Sequence, residues 1–364
     1  MKKSLITFLA TIMIAGLVNI ASAVPIEDLK VDISGLGQWG YHVSQITGDD
    51  DEFDTNRLRI KISAQPAENV KFYAALEGTN NTSAMAAGNN VPANCLICDG
   101  AADSRLVDMN VTLTYLEWVT VIIGQLPSPV SYELNTDEYD LETINYSQIV
   151  GIANRDRGIG LIIPLHPELS LITWVLNGSG AISGATNNPD DRYAYGAMLE
   201  YQPYQEFKVK LFGHFTDTDT DVVIASNAAN AVDVDAWGGG LDYKWYGFRV
   251  MGEYVHARLK MSNAAGAQTG TAKTEEWYAH GSYEIPKTDL QIVARYDRYD
   301  PDTTSGAAGA NDETQITTIG MNWDFEQDCR LQLMHQFMKR EYIPAGPGSD
   351  RNADQTDVQL SVRF

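Results

Sequence analysis

Cysteine and histidine are scarce, with three and six residues in a chain of 364. Cys95 and Cys98 form a C-x-x-C, but a zinc site would need two further ligands, and no histidine lies near them in sequence. Haem attachment is excluded because Asp99 follows Cys98 where that chemistry requires histidine. A disulfide in an oxidising compartment is the expectation for the pair, and Cys329 reads as a lone structural thiol. Neither Gly-x-Ser-x-Gly nor His-Glu-x-x-His occurs. No enzyme activity, metal or cofactor is therefore expected.

Positive charge is the next shortage. Twenty-six Lys and Arg stand against 48 Asp and Glu, a formal charge of −22, which excludes a basic nucleic-acid binder. Aromatic residues reach 10%, too many for an unfolded acidic chain. Long apolar runs are also missing beyond residue 23. The longest candidate, Leu161 to Leu176, is interrupted by Pro164, His166, Pro167 and Glu168, whereas a spanning helix needs about 20 apolar residues. A helical membrane protein is thereby excluded. A soluble secreted protein and a transmembrane β-barrel both remain.

The start of the chain reads as a secretory signal. Lys2 and Lys3 precede an apolar stretch over 4–18, and Ala21-Ser22-Ala23 forms a small-residue cleavage site. Cleavage near Ala23 would leave 24–364 as the mature chain.

Period-two alternation decides between the remaining classes. Val358, Leu360, Val362 and Phe364 alternate with Gln359, Ser361 and Arg363; Leu58, Ile60 and Ile62 alternate with Arg57, Arg59 and Lys61. Phe207, Val209 and Leu211 alternate with Lys208 and Lys210. In a strand each pattern gives one face for lipid and one for water. Similar segments over 31–42, 70–79, 108–118, 119–126, 156–163, 168–177, 192–202, 234–245, 246–259, 274–285, 288–299, 314–326 and 328–342 bring the total to about sixteen strands. Short connectors, such as Pro286-Lys287 and Glu326-Gln327-Asp328, alternate with long ones, such as 80–105 and 127–155. Sorting by length in this way matches barrels with short periplasmic turns and long external loops. Trp118, Trp245, Tyr246, Trp323, Phe325 and Phe364 fall beside the short turns, where an aromatic girdle belongs. The predicted fold is all-β: a transmembrane antiparallel barrel of the bacterial outer membrane.

Two stretches carry a closer resemblance. Ile123-Gly124-Gln125-Leu126-Pro127-Ser128-Pro129-Val130-Ser131-Tyr132-Glu133, followed by Asn154-Arg155-Asp156-Arg157-Gly158-Ile159-Gly160, resembles the phosphate-selective porin O and P family. Arg57-Leu58-Arg59-Ile60 and Thr318-Ile319-Gly320-Met321-Asn322-Trp323 look like its members too, although Val130 stands where that family usually has Phe. The resemblance implies a trimeric sixteen-stranded pore, with phosphate or another anion as the preferred solute.

The alternation also sorts the charges. Arg57, Arg59, Lys61, Lys208, Lys210, Arg295 and Arg330 fall on the predicted inward face, making the wall net basic. By analogy with porins, 127–155 is the candidate constriction loop, and it carries Glu133, Asp137, Glu138, Asp140 and Glu142. A basic row facing an acidic loop would set a transverse field across the channel. Acids in the other long loops read as a solvated surface or as carboxylates that bridge to lipopolysaccharide through divalent cations. The expected activity is passive diffusion of small hydrophilic solutes and ions. The alternative is a non-conducting structural barrel, or a sheath for a periplasmic or surface electron-transfer partner.

Overall fold

The computed structural model describes residues 30–44, 51–78, 105–127, 130–147, 149, 155–177, 193–216, 231–262, 268–300, 313–341 and 351–364. The expected signal segment 1–23, Cys95 and Cys98 lie outside the described residues. Sixteen strands follow one another: β1 (Lys30–Ser44), β2 (Glu52–Ala67), β3 (Val70–Gly78), β4 (Arg105–Leu116), β5 (Val119–Pro127), β6 (Arg155–His166), β7 (Leu169–Leu176) and β8 (Ala194–Tyr204) in the first half. The second half holds β9 (Phe207–Thr216), β10 (Ala231–Trp245), β11 (Phe248–Ser262), β12 (Gln268–Glu284), β13 (Leu290–Asp300), β14 (Glu313–Glu326), β15 (Cys329–Glu341) and β16 (Arg351–Arg363). Each strand pairs antiparallel with its sequence neighbours, and β1 pairs with β16 to close the barrel. Closure removes the unpaired strand edges that a hydrocarbon environment would not tolerate.

Strand boundaries depart from the sequence pattern mainly at the ends away from the short turns. There β2 begins at Glu52, β12 at Gln268 and β16 at Arg351, earlier than the alternation predicts. These ends lack a regular apolar period, with Phe53 the one large apolar residue at the start of β2, and hydrogen-bonded pairing continues without the alternation that marks the membrane band. Tyr246, expected to start a strand, instead forms a two-residue turn with Gly247, at φ 47° and 82°. Consecutive positive φ values are what a tight hairpin of this hand requires.

The outer face follows the alternation. Leu58, Leu199, Leu211, Val250, Ile292, Ile319 and Leu333 are exposed, while their strand neighbours Arg59, Lys210 and Gln332 are buried within the barrel. Trp245, Trp323 and Phe325 lie at the short-turn side, and Trp237 packs on Tyr254 at 5.7 Å toward the other rim. Trp237 and Trp245 are eight residues apart on β10, about 26 Å of strand. A strand tilted by about 40° would place these belts roughly 20 Å apart along the membrane normal. Leu211→Lys should therefore destabilise the barrel by about 2–4 kcal/mol, measurable as a lower urea midpoint in liposomes; an unchanged midpoint would mean this face does not meet lipid.

β6 and β7 break the alternation, with apolar residues on both faces. Their second apolar face packs inside the barrel. Trp174, Leu176, Ala194, Met198, Phe212, Met251 and Val255 from the wall form a buried cluster with Leu126, Val130, Leu134 and Ile149. Gly196 allows the close packing, since a Cβ there would lie 2.0 Å from the Trp174 ring. Part of the interior is thus a hydrophobic core rather than a water-lined wall.

Candidate functional site: the segment folded into the barrel

Residues 130–147 leave β5 and enter the barrel, with a single 3-10 turn at Glu133–Asn135. A buried segment with so little regular structure must find partners for its backbone groups elsewhere. Side chains of the wall supply many of them. Glu253 on β11 accepts from the Tyr132 N–H at 2.9 Å and from the Ser131 hydroxyl at 3.2 Å. Arg295 on β13 donates to Thr143 Oγ1 at 2.6 Å and to the carbonyls of Asn145 and Tyr146 at 2.9 and 3.2 Å. Arg330 on β15 reaches the Tyr139 carbonyl at 2.9 Å, and Asn322 on β14 reaches that of Glu142 at 2.9 Å.

Ion pairs fasten the same segment. Glu133 meets Arg295 at 3.0 Å, and Glu142 meets Arg249 at 3.2 Å as well as His280. On the opposite flank Glu138 pairs with Arg59 and Asp137 with Lys61, while Arg57 stacks over the Tyr146 ring at 5.6 Å. Asp140 lies 3.7 Å from Arg363 and is the most exposed carboxylate of these loop pairs. Lys210 does not touch a loop carboxylate. It is buried 2.6 Å from Glu253 and lies 3.8 Å from the centre of the Tyr132 ring. Lys208 is 3.5 Å from Glu200, and Arg330 is also held by Asp324 at 2.6 Å.

These contacts change the electrostatic picture. Arg59, Lys61, Arg249 and Arg295 meet loop carboxylates directly, whereas Lys208 and Lys210 pair with the wall acids Glu200 and Glu253. The wall also supplies its own acids. Glu77 lies on Arg57 and Arg59, Asp242 on Arg249, Asp297 on Arg295 and Asp108 on Arg155. Burial alone would raise the carboxyl of Glu138, but Arg59 and Arg57, with Lys61, outweigh it and hold the group at about 2. Glu142 is likewise held at about 2, because the hydrogen bond and charge of His280, then Arg249, overcome its burial.

Sequence reasoning assembled the acids and bases as two sets but missed the polar wall residues that receive the segment. Tyr278, His280, Gln291, Asn322 and Gln332 are the main omissions. Tyr278 donates to Glu253 at 2.9 Å and Gln291 to Glu142 at 3.0 Å. The available signal was polar side chains repeating every second residue on one face, as in Tyr278, His280 and Ser282.

A closed sixteen-stranded antiparallel barrel, apolar outside and holding one inward-folded segment by charged wall residues, defines a porin-type protein. A model of the Gram-negative porin family matches residues 7–341, and the chain belongs to that family. It is therefore an outer-membrane β-barrel. No curated protein sequence matches the chain. Among solved structures it is similar to OmpT of Vibrio cholerae in a trimer form, with 11% identity, TM-score 0.61, and coverage of 92% of this chain and 99% of that one. The anion-selective porin of Comamonas acidovorans shares 14% identity at TM-score 0.60, covering 93% and 100%. Salmonella typhi OmpF, in complex with daunomycin, shares 14% identity at TM-score 0.63, covering 92% and 98%. At these identities the likeness is one of fold.

Proposed function

We propose that this barrel is a channel for passive diffusion of small hydrophilic solutes and ions, narrowed by the segment 130–147. The observation that carries this reading is the attachment of that segment to β2, β11 and β13 through the ion pairs of Glu138 with Arg59, Glu142 with Arg249 and Glu133 with Arg295, and to β15 through a hydrogen bond from Arg330 to the Tyr139 carbonyl. Such attachment gives a narrow point a fixed shape, as a size-limited pore requires. The anion or phosphate preference implied by the phosphate-selective porin O and P resemblance would need basic side chains available to solute. Here Arg59, Lys61, Lys210, Arg249, Arg295 and Arg330 each have a carboxylate within ion-pair distance. The reading we adopt is weak ion selectivity, with a lean toward cations.

We also propose a homotrimer that meets through β5, β6 and β7. Their outward side chains include the aliphatic Val121, Ile123, Leu161 and Val175, and these strands are short at 9, 12 and 8 residues. β10, β11 and β12 run to 15, 15 and 17 residues and carry the outward aromatics suited to a lipid boundary. Membrane lipid would then cover this taller aromatic sector, with lipopolysaccharide at its outer rim.

Planar-bilayer recording tests the channel. Folded protein should give stepwise currents, with a reversal potential in a KCl gradient near zero or slightly cation-selective. Silence from correctly folded trimers would overturn the channel reading, and a strong anion potential would overturn the selectivity. Replacing Arg57, Arg59 and Lys61 together by alanine should shift the potential further toward cations by freeing Glu138 and Asp137.

A further inference from the structure

Polar residues on the inner face differ in exposure from one side of the barrel to the other. On β14, β15 and β16 the inward Thr318, Asn322, Gln332, Gln359 and Ser361 are all between 0% and 3% exposed. On β4 and β5 the inward Asn110, Thr112 and Thr120 are half-buried, and Thr114 is exposed. The inner segment explains the contrast. Its attachments fall on β2 and on β11 to β16, and the apolar cluster fills the side of β7 to β9. None of these contacts reaches β3 or β4, so the space they leave open lies against β3, β4 and the turn side of β5.

The strand register sets the groups around that space in two rails. Asn110, Thr112 and Thr114 follow one another on the inner face of β4 at a spacing of about 7 Å. Tyr73 lies opposite Asn110, and Lys71 opposite Thr112. Beside them Ile122 lies opposite Thr112 and Ile162 opposite Thr120, both half-buried. The first rail offers hydroxyl and amide groups that donate and accept hydrogen bonds, and the second is aliphatic. Lys71 is the one charged side chain in this set.

Resting on the channel reading, we propose that solute passes along this strip and that the strip favours uncharged polyhydroxylated molecules, the class to which monosaccharides belong. Such a solute exchanges its water for the Thr and Asn groups on one side while its C–H faces meet Ile122 and Ile162 on the other. An ion finds no string of opposite charges there to offset the loss of its hydration. The acids and bases that could have supplied one, on β2, β11 and β13, are engaged by the segment.

Bilayer recording of the full chain locates the path. Thr112→Cys treated with a trimethylammonium methanethiosulfonate should lose about half of its current or more, beyond any change the reagent causes in the unaltered protein. Thr318→Cys, on the covered side, should stay at that background. An undiminished current in treated Thr112→Cys, or a block at Thr318→Cys alone, would overturn the path and leave the channel standing; no current from the unaltered protein would overturn both. Uptake into liposomes measures the preference. Glucose should enter at least about threefold faster than gluconate or glucosamine, and Asn110→Leu combined with Thr112→Val should abolish that advantage. A glucose advantage that survives the double variant would overturn the preference, and so would equal rates through the unaltered protein, whether or not the variants fold.

Discussion

Arg295→Ala is expected to release residues 130–147 from their seat while leaving the barrel closed. One guanidinium holds Asp297 at 2.8 Å, Glu133 at 3.0 Å, Thr143 Oγ1 at 2.6 Å and two backbone carbonyls. Removing it leaves the buried carboxylates Glu133 and Asp297 without their cation, and breaking a buried pair from one side costs about 3–5 kcal/mol. The barrel keeps its strand pairing, so the loss concentrates on the inner segment. Hydrogen exchange should show residues 130–147 losing protection while β12–β14 retain theirs, and single-channel conductance should rise and become noisy. Arg295→Lys should rescue only part of this, because an ammonium supplies the charge without the planar fork that spans five acceptors. Unchanged protection over 130–147 in Arg295→Ala would sink the idea.

Acid should undock the same segment through different groups. Glu138 and Glu142 are both held at about 2, against an ordinary value of 4.5. Each depression corresponds to roughly 3 kcal/mol of stabilisation at neutral pH. Because the folded values lie below the unfolded ones, this contribution is complete above pH about 4.5 and is lost as pH falls toward about 2. Conductance should therefore be steady from pH 7 to 5 and change between pH 4.5 and 2. Glu138→Gln should reproduce part of the acid state at neutral pH and leave a shallower acid transition. A transition centred above pH 6, or none down to pH 2, would contradict these assignments.

How much of this could be read before the structure depended on where solvent imposes a period. Lipid on one side and water on the other force alternation on strands such as β2, β9 and β16, and their positions follow directly. Strand ends without a regular apolar period, including 52–56 of β2 and 268–273 of β12, have no such constraint and were missed. β6 and β7 were recognisable as extended segments between turns, but their double apolar face hid the core they build with Leu134 and Ile149. The charges could be counted on each face but not matched to one another. Arg59 and Glu138 are 79 residues apart, and Arg295 and Glu133 are 162 apart. Their meeting depends on how deeply the segment folds inward, which no local pattern encodes.

The inner segment also bears on how the barrel assembles. Arg330 reaches Tyr139 across 191 residues, and Asn145 reaches Asp357 across 212. Contacts of such long range are slow to form because the intervening chain must first be ordered. Closing β1 against β16 is the most distant pairing in the molecule. A segment that grips β2 on one side and β15 and β16 on the other gathers both ends of the chain around one internal mould. Variants with a loosened segment should therefore close more slowly, even where the finished barrel is nearly as stable.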